Sequence, residues 1–227
     1  MKGNDIGHAA NPVRRVVLAT RNAGKIAELA RILVAVEAVI DIVGLDEFPG
    51  APDVTETGLT FADNALLKAR AIAAYTGLPA VADDSGLAVD ALHGMPGVLS
   101  ARWAGKHGDD HANLELVLGQ LGDVHERGAA FICVAALAVP DHAVEGGALE
   151  GGAVEDSAVK SSSREWTTTG VLAGTLIRAP RGTNGFGYDA MFVPWHHELS
   201  FGEMDFDKKH AMSHRAEAFR KLVAAVF

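Results

Sequence analysis

The chain has 227 residues, of which 48% are hydrophobic, and it carries a formal net charge of −9. This composition can close a sizeable apolar core without disulfides or a structural metal. The acidic charge argues against nonspecific nucleic-acid binding, because the chain would repel the phosphate backbone. A small polyphosphate ligand stays compatible with it, since a few local cations and a bound metal ion can hold one.

Cysteine usage and hydropathy predict a cytoplasmic protein. The single cysteine, Cys133, lies in an apolar stretch and is expected to be a buried core thiol in a reducing compartment. Residues 1–15 lack the apolar segment of a signal peptide. The apolar run over 129–140 is too short to cross a bilayer. We therefore expect no membrane partner.

The N-terminal part predicts a strand followed by a helix, after a loose tail over 1–12. Val16 to Ala19 is a short apolar run typical of a buried strand. From Lys25 onwards apolar residues recur at helical spacing, at Ile26, Leu29, Ala30 and Leu33. Thr20 to Gly24 is therefore expected to form the turn between the strand and the helix.

Later elements alternate between strands and helices. Helices are predicted over 60–75, 110–121 and 213–226. Strands are predicted over 41–44, 79–82, 131–139 and 166–177, with 87–92 as a candidate continuation of the second. This alternation predicts a layered α/β fold. No long linker divides the chain, so we expect one domain over 1–227 with a flexible insertion at 141–163.

The turn Thr20-Arg21-Asn22-Ala23-Gly24-Lys25 is a candidate phosphate site. Exposed amides at a helix start favour anions, and the lysine adds a cation. The turn lacks the first glycine and the Lys-Ser/Thr ending of a Walker A loop. Taken alone, an ordinary turn with a solvated lysine explains it better.

A carboxylate pair, Asp83-Asp84, follows the predicted strand 79–82 and precedes Ser85-Gly86. Ligand sites in α/β sheets lie beyond the carboxyl ends of strands, and such carboxylates can hold a hard cation and orient a water. Glu56 is a candidate second metal ligand. A polar turn explains the pair about equally well, because Asp, Ser and Gly all favour turns.

Two further groups lie near the C-terminus. In Gly185-Phe186-Gly187-Tyr188-Asp189, the two aromatic rings could stack on a base and Asp189 could accept hydrogen bonds from it. In Lys209 to Arg215, the cations and His214 could donate to phosphate or carbonyl oxygens. The alternatives are a glycine-rich turn with core aromatics and a capped surface helix with solvated charges. His196-His197 lacks zinc-site spacing and is expected in a surface loop.

Six motifs in this order resemble the non-canonical purine nucleoside-triphosphate pyrophosphatase family, also called inosine triphosphate pyrophosphatase or HAM1/RdgB-like proteins. The motifs are Thr20 to Lys25, Glu56 to Phe61 with Asn64 and Lys68 to Arg70, Ala82 to Leu87, Pro96 to Val98 with Ser100 to Arg102, Gly185 to Asp189, and Ser213 to Arg215. The resemblance covers nearly the whole chain from Val16 onwards.

The resemblance implies an α/β fold with an elongated mixed β-sheet flanked by helices, in two lobes with a central cleft. It implies a homodimer that uses Mg²⁺ to cleave ITP, dITP and XTP into the monophosphate and pyrophosphate. Such an activity removes deaminated purines from the nucleotide pool.

The resemblance also implies roles residue by residue. Asp84 matches the proton acceptor, and Glu56 with Asp84 matches the metal carboxylates. The remaining matches are substrate contacts: Thr20, Arg21, Asn22, Ala23, Gly24, Lys25, Ser85, Phe186, Gly187, Tyr188, Asp189, Lys209, His214 and Arg215.

The sequence departs from the family pattern at Ala190 and Leu172, where the family usually has proline and Cys or Trp. Two rival hypotheses stay open. A nucleotide-binding sensor would not need Glu56 or Asp84, and a Maf-type pyrophosphatase would act on modified pyrimidine or methylated nucleotides. The Gly-Phe-Gly-Tyr-Asp and Ser-His-Arg motifs argue against the Maf-type substrate.

Overall fold

The computed structural model describes residues 14–21, 25–26, 32, 40–140 and 164–226. Its strands are β1 (Arg14–Leu18), β2 (Ile40–Val43), β3 (Ala80–Val89), β4 (Gly128–Val139), β5 (Arg164–Leu176) and β6 (Phe192–Pro194). Its complete helices are α1 (Phe61–Thr76), α2 (Asp110–Leu121), α3 (Phe206–Met212) and α4 (His214–Val226). Every predicted strand and helix within these residues is present.

Some predictions lie outside the described residues. These are the tail over 1–12, the insertion over 141–163, and Asn22, Ala23 and Gly24 of the candidate phosphate turn. Lys25, Ile26 and Ile32 are helical, in agreement with the helix predicted to begin at Lys25. None of the helices in the described ranges is long and apolar enough to cross a membrane.

The strands form one six-stranded mixed sheet in the order β2-β1-β3-β4-β5-β6. β1 runs parallel to β2 and β3, and the other neighbours are antiparallel. This confirms the predicted α/β class with a mixed sheet. β1 pairs with β3 only at Ala80 and Val81. Beyond that point no named strand of the described residues pairs with that edge of β3, which has only an isolated bridge from Ala88 to Pro96, so the sheet opens there.

β3 corrects the predicted end of the strand over 79–82. It continues without a break from Ala80 to Val89, paired with β4 from Ala138 to Ala129. Asp83 and Asp84 therefore lie inside a long strand and not in a turn after it. The residues Asp-Asp-Ser-Gly favour turns locally, but the hydrogen bonds of a full-length partner strand override that preference.

Alternation along β3 sends its side chains to two separate cores. Ala80 and Ala82 pack with α1, whereas Val81 packs with α4. Because successive strand residues point to opposite faces, Asp84 lies on the α1 face and Asp83 on the α4 face. Leu87 and Val89 belong to a third cluster with α2 and β6, on the far side of the opening.

Helix α1 begins at a capping box. The Thr60 hydroxyl accepts a hydrogen bond from the amide of Asp63 (3.1 Å), and the Asp63 carboxylate accepts one from the amide of Thr60 (3.1 Å). Thr60→Ala should lower the free energy of unfolding by about 1 kcal/mol, because it leaves a first-turn amide without its acceptor. Urea unfolding should show a lower midpoint and an unchanged slope. Thr60→Ser keeps the acceptor, so an equal loss in that variant would contradict this explanation.

Candidate active site

A cavity of about 1060 Å³ lies where the sheet opens beside β3. It is lined by residues from both ends of the chain. Those predicted from the sequence are Thr20, Arg21, Lys25, Glu56, Asp84, Ser85, Phe186, Gly187, Tyr188, Asp189, Lys209, His214 and Arg215. The structure therefore brings all the described candidates together, although up to 195 positions separate them in the sequence (20 to 215).

One end of the cavity holds the carboxylates of Glu56 and Asp84, joined by Lys68. The Lys68 ammonium lies 2.7 Å from Glu56 Oε1 and 3.3 Å from Asp84 Oδ1. Asn64 Nδ2 donates to Asp84 Oδ2 (3.2 Å), and Arg102 binds Glu56 Oε2 (3.1 Å). Each carboxylate is therefore held by a cation or an amide of its own besides the shared lysine.

Burial and neighbouring charges shift the pKa values of the two carboxylates in opposite directions. Burial raises the pKa of Asp84, Lys68 opposes this, and the nearby Glu56 carboxylate adds to it, so the pKa of Asp84 lies above its ordinary value. Burial also raises the pKa of Glu56, but Lys68 and Arg102 lower it more, so the pKa of Glu56 lies below its ordinary value. Asp84 is thus the more basic of the two, as a general base requires.

The two carboxylates also fit a hard divalent cation. Glu56 and Asp84 already converge on one positive centre, the Lys68 ammonium, so their oxygens can approach a common point. Among the described residues no group of three His, Cys, Asp or Glu side chains could hold a metal. Magnesium is commonly bound by one or two carboxylates, with waters and substrate phosphates completing its shell. Two carboxylates of this kind could therefore contribute part of the shell of a hard cation, with waters and substrate oxygens supplying the rest.

Lys68, Asn64 and Arg102 were not assigned a role from the sequence. Asn64 and Lys68 are four positions apart on α1, so they share one face of the helix. That face includes buried Ala65 and Ala69 nearby, and Asn64 is itself fully buried. In the sequence, the feature that could have identified these two residues is an Asn and a Lys four positions apart, next to the apolar stripe of a predicted helix.

A second ion cluster lies on the opposite face of β3, around Asp83. Lys25 Nζ lies 2.9 Å and Arg215 Nε 3.3 Å from Asp83 Oδ2. The Ser85 hydroxyl donates to the same oxygen (2.9 Å). Burial raises the pKa of Asp83, but Lys25, Arg215 and Lys68 lower it much further, so the pKa of Asp83 lies well below its usual range. Asp83 is therefore an ionised partner for two cations.

The other end of the cavity presents the ring of Phe186. Phe186 is 41% exposed, and its loop is held because Asp189 Oδ2 accepts from the Phe186 amide (2.7 Å) and from Lys209 Nζ. The Lys209 ammonium lies 5.3 Å from the centre of the Phe186 ring, and the Arg215 guanidinium carbon lies 5.9 Å from it. A flat ring of this kind can stack on a base, while the two neighbouring cations can donate hydrogen bonds to the edge of that base.

Tyr188 departs from the expectation that both aromatics offer stacking surfaces. It is only 5% exposed, and its hydroxyl donates to the Ser100 carbonyl (2.8 Å). Its ring belongs to the cluster that contains Phe192 and Phe201. Tyr188 therefore positions the loop, and of the two aromatic rings only that of Phe186 is exposed.

The last motif is buried, which rules out the surface-helix alternative. Lys209, His214 and Arg215 are each at most 8% exposed, and the Ser213 hydroxyl accepts from the Ala216 amide to cap α4, as predicted. The His214 ring stacks on Phe131 with 5.0 Å between ring centres. Burial, Arg215 and Lys209 lower the pKa of His214 well below its usual value, so it is neutral at pH 7. His196, by contrast, is exposed in a loop, as expected.

The chain is similar over nearly its whole length to one protein family and to several of its members. The model of the Ham1 family matches residues 16–225. A dITP/XTP pyrophosphatase from Streptomyces avermitilis is 52% identical over 214 residues, covering 93% of this chain and 96% of the relative.

Two solved structures are similar in fold over nearly the whole chain. A HAM1 protein from Coxiella burnetii has a TM-score of 0.77 at 37% identity, and the match covers 94% of this chain and 98% of that one. A nucleoside-triphosphatase (dITP/XTP pyrophosphatase) from Mycobacterium abscessus has a TM-score of 0.68 at 43% identity, covering 92% and 97%. Since the family match spans the strands, helices and cavity residues described above, the chain belongs to the Ham1 family.

Proposed function

We propose that this chain hydrolyses ITP, dITP and XTP to the nucleoside monophosphate and pyrophosphate, and so removes deaminated purines from the nucleotide pool. The observation that carries the proposal is one cavity with two chemically different ends. The Glu56 and Asp84 carboxylates with Lys25 and Lys68 lie at one end, and the Phe186 ring lies at the other. The relatives named dITP/XTP pyrophosphatase support the same substrate class.

Magnesium, the proposed cofactor, would be held by Glu56 and Asp84, and when bound it neutralises phosphate charge as the bond between the α- and β-phosphates breaks. Asp84 orients the attacking water and accepts its proton, which its raised pKa favours. Lys25 stabilises the leaving pyrophosphate, because it lines the cavity and carries a positive charge that can neutralise the developing negative charge. Positioning and electrostatics suffice for such a reaction, so no covalent nucleophile is needed.

At the other end, Phe186 stacks on the purine while Lys209 and Arg215 present donors to its edge. A 6-oxo group accepts from such donors, whereas the 6-amino group of adenine would leave one of them buried and unpaired. That mismatch costs about 1–3 kcal/mol, or roughly ten- to a hundredfold in kcat/KM against ATP. His214, being neutral, adds one donor and one acceptor at this end.

Product analysis tests the proposal directly. The purified protein with Mg²⁺ is incubated separately with ITP, dITP, XTP, ATP and GTP, and the products are separated by ion-exchange chromatography. We expect monophosphate and pyrophosphate from the first three and little from ATP, whose 6-amino group does not match the donors; the GTP reaction shows whether the site also distinguishes the 2-position of the purine. Orthophosphate and a diphosphate would overturn the bond assignment, and tight binding without turnover would favour a nucleotide sensor. Preferred turnover of modified pyrimidine or methylated nucleotides would favour the Maf-type alternative.

The proposal extends to a homodimer in the cytoplasm that acts on small nucleotides and not on nucleic acid. The family resemblance supports the dimer, and the single free cysteine supports a reducing compartment. Light scattering after gel filtration should give about twice the 23.7 kDa of one chain. A mass of one chain at micromolar concentration would contradict the dimer.

A further inference from the structure

Asp83 is a buried carboxylate that the proposed reaction does not use. It is 4% exposed and, unlike its neighbours Asp84 and Ser85, does not line the cavity. It lies on the α4 face of β3, opposite the face that carries Asp84, and its carboxylate contacts Lys25 and Arg215.

Asp83 nevertheless contacts two residues that do line the cavity. One oxygen, Oδ2, binds Lys25 Nζ at 2.9 Å and Arg215 Nε at 3.3 Å. Lys25 comes from the N-terminal helix start and Arg215 from α4, which are 190 positions apart in the sequence. Asp83 therefore joins two parts of the chain that no strand pairing connects directly.

The two cations serve different parts of a bound nucleotide. Lys25 lines the phosphate end, while the Arg215 guanidinium lies 5.9 Å from the Phe186 ring at the base end. Arg215 also donates to Ser85 Oγ (3.5 Å), which in turn donates to Asp83 Oδ2 (2.9 Å). A long cation with several rotatable bonds loses its placement when its carboxylate partner is removed.

We propose that Asp83 is a positioning residue that holds Lys25 and Arg215 at a fixed separation, so that the two cations bind the phosphate end and the base end of one nucleotide at the same time. The inference rests on the proposed function, since the separation of the two cations matters only if one nucleoside triphosphate spans the cavity. The rival role for Asp83 is simple neutralisation of two buried cations, which would affect stability and not substrate binding.

Three variants separate these roles. Asp83→Asn keeps the shape but removes the charge, and we expect KM for ITP to rise roughly ten- to a hundredfold, with kcat changing less. Asp83→Glu keeps the charge but moves it by one methylene, so positioning predicts a smaller rise in KM, whereas neutralisation predicts wild-type KM. Cys133→Ala is the matched control, because Cys133 Sγ lies 3.9 Å from the same oxygen without charge; its KM should be unchanged.

A double-mutant cycle tests whether Asp83 acts through the two cations. If it does, the effect of Asp83→Asn on KM shrinks when Lys25→Met or Arg215→Met is already present. Full additivity with both substitutions would overturn the proposal. Where Asp83→Asn fails to fold, Asp83→Glu carries the test, and wild-type KM in that variant overturns it equally.

Calorimetric binding of ITP, measured without divalent metal, gives a readout that does not depend on turnover. Tighter binding in the wild type than in Asp83→Asn supports the positioning role. Wild-type hydrolysis of ITP combined with an unchanged KM and affinity in Asp83→Asn and Asp83→Glu overturns that role and leaves the proposed function intact. A wild type that neither hydrolyses nor binds ITP overturns both.

Discussion

Asp84→Asn is expected to lose nearly all turnover of ITP while the protein stays folded. The change removes the carboxylate that is proposed to accept the proton of the attacking water and to bind the metal, and it leaves a neutral amide in its place. A general base alone accounts for about 10²- to 10⁴-fold in rate, so kcat should fall by at least that much. The measurement is pyrophosphate release with ITP at saturating substrate and magnesium.

Stability should not explain this loss. The pKa of Asp84 is raised in the folded protein, so at pH 7, where the carboxyl is ionised, its charge weakens the folded state. Removing the charge should therefore leave the melting temperature unchanged or raise it. Asparagine can still accept the hydrogen bond that Asn64 Nδ2 donates at this position.

Glu47→Gln is the matched control for Asp84→Asn. Glu47 is an exposed carboxylate that pairs with Arg15 at 2.9 Å, on the β1–β2 side of the sheet and outside the cavity lining. It should keep wild-type kcat. If Asp84→Asn keeps wild-type kcat as well, the assignment of Asp84 as the proton acceptor is wrong.

Lys68→Met is expected to lower kcat/KM for ITP on the order of 10²- to 10³-fold at pH 7. The ammonium bonds both Glu56 and Asp84, so its loss leaves the buried Asp84 carboxylate beside the partly buried Glu56 carboxylate without the cation they share. Two neighbouring carboxyl groups resist being ionised at the same time, so the pKa of Asp84 should rise further. A larger fraction of the enzyme then holds Asp84 protonated, unable to act as a base.

The pH profile gives Lys68→Met a specific signature. Activity that needs ionised Asp84 rises with pH through the pKa of that group, so the acidic limb of kcat/KM should move to higher pH by about one to three units. Turnover should therefore recover partly at alkaline pH. Lys68→Arg keeps the charge and is expected to hold the limb near its wild-type position. An unshifted limb in Lys68→Met would show that Lys68 does not set the charge balance of the pair.

Several features of this protein follow from local sequence. The Thr60 cap with Asp63 three residues later, and the apolar stripe behind it, predict helix α1 nearly to the residue, because capping and helical periodicity act within one or two turns. The same reasoning places α2 and the start of α4. The six motifs and their order also indicate the family, because short runs of adjacent residues and their order can be read from the sequence without the fold.

The length of β3 could not be predicted in this way. Asp83 to Gly86 are turn formers by local preference, and only the ten-residue register with β4 keeps them in a strand. That pairing is non-local, so no short window of sequence contains it.

The chemistry of the site was likewise decided by tertiary structure. Strand alternation in the sequence predicts that the two carboxylates point to opposite faces, but only the fold shows the partners: Lys68 and Asn64 for Asp84, and Lys25 and Arg215 for Asp83. The opposite pKa shifts of these adjacent residues come from those distant partners and from burial. The strength of a charge interaction depends on the distance between the charges in space. The fold determines that distance, and the adjacent residues in the sequence do not.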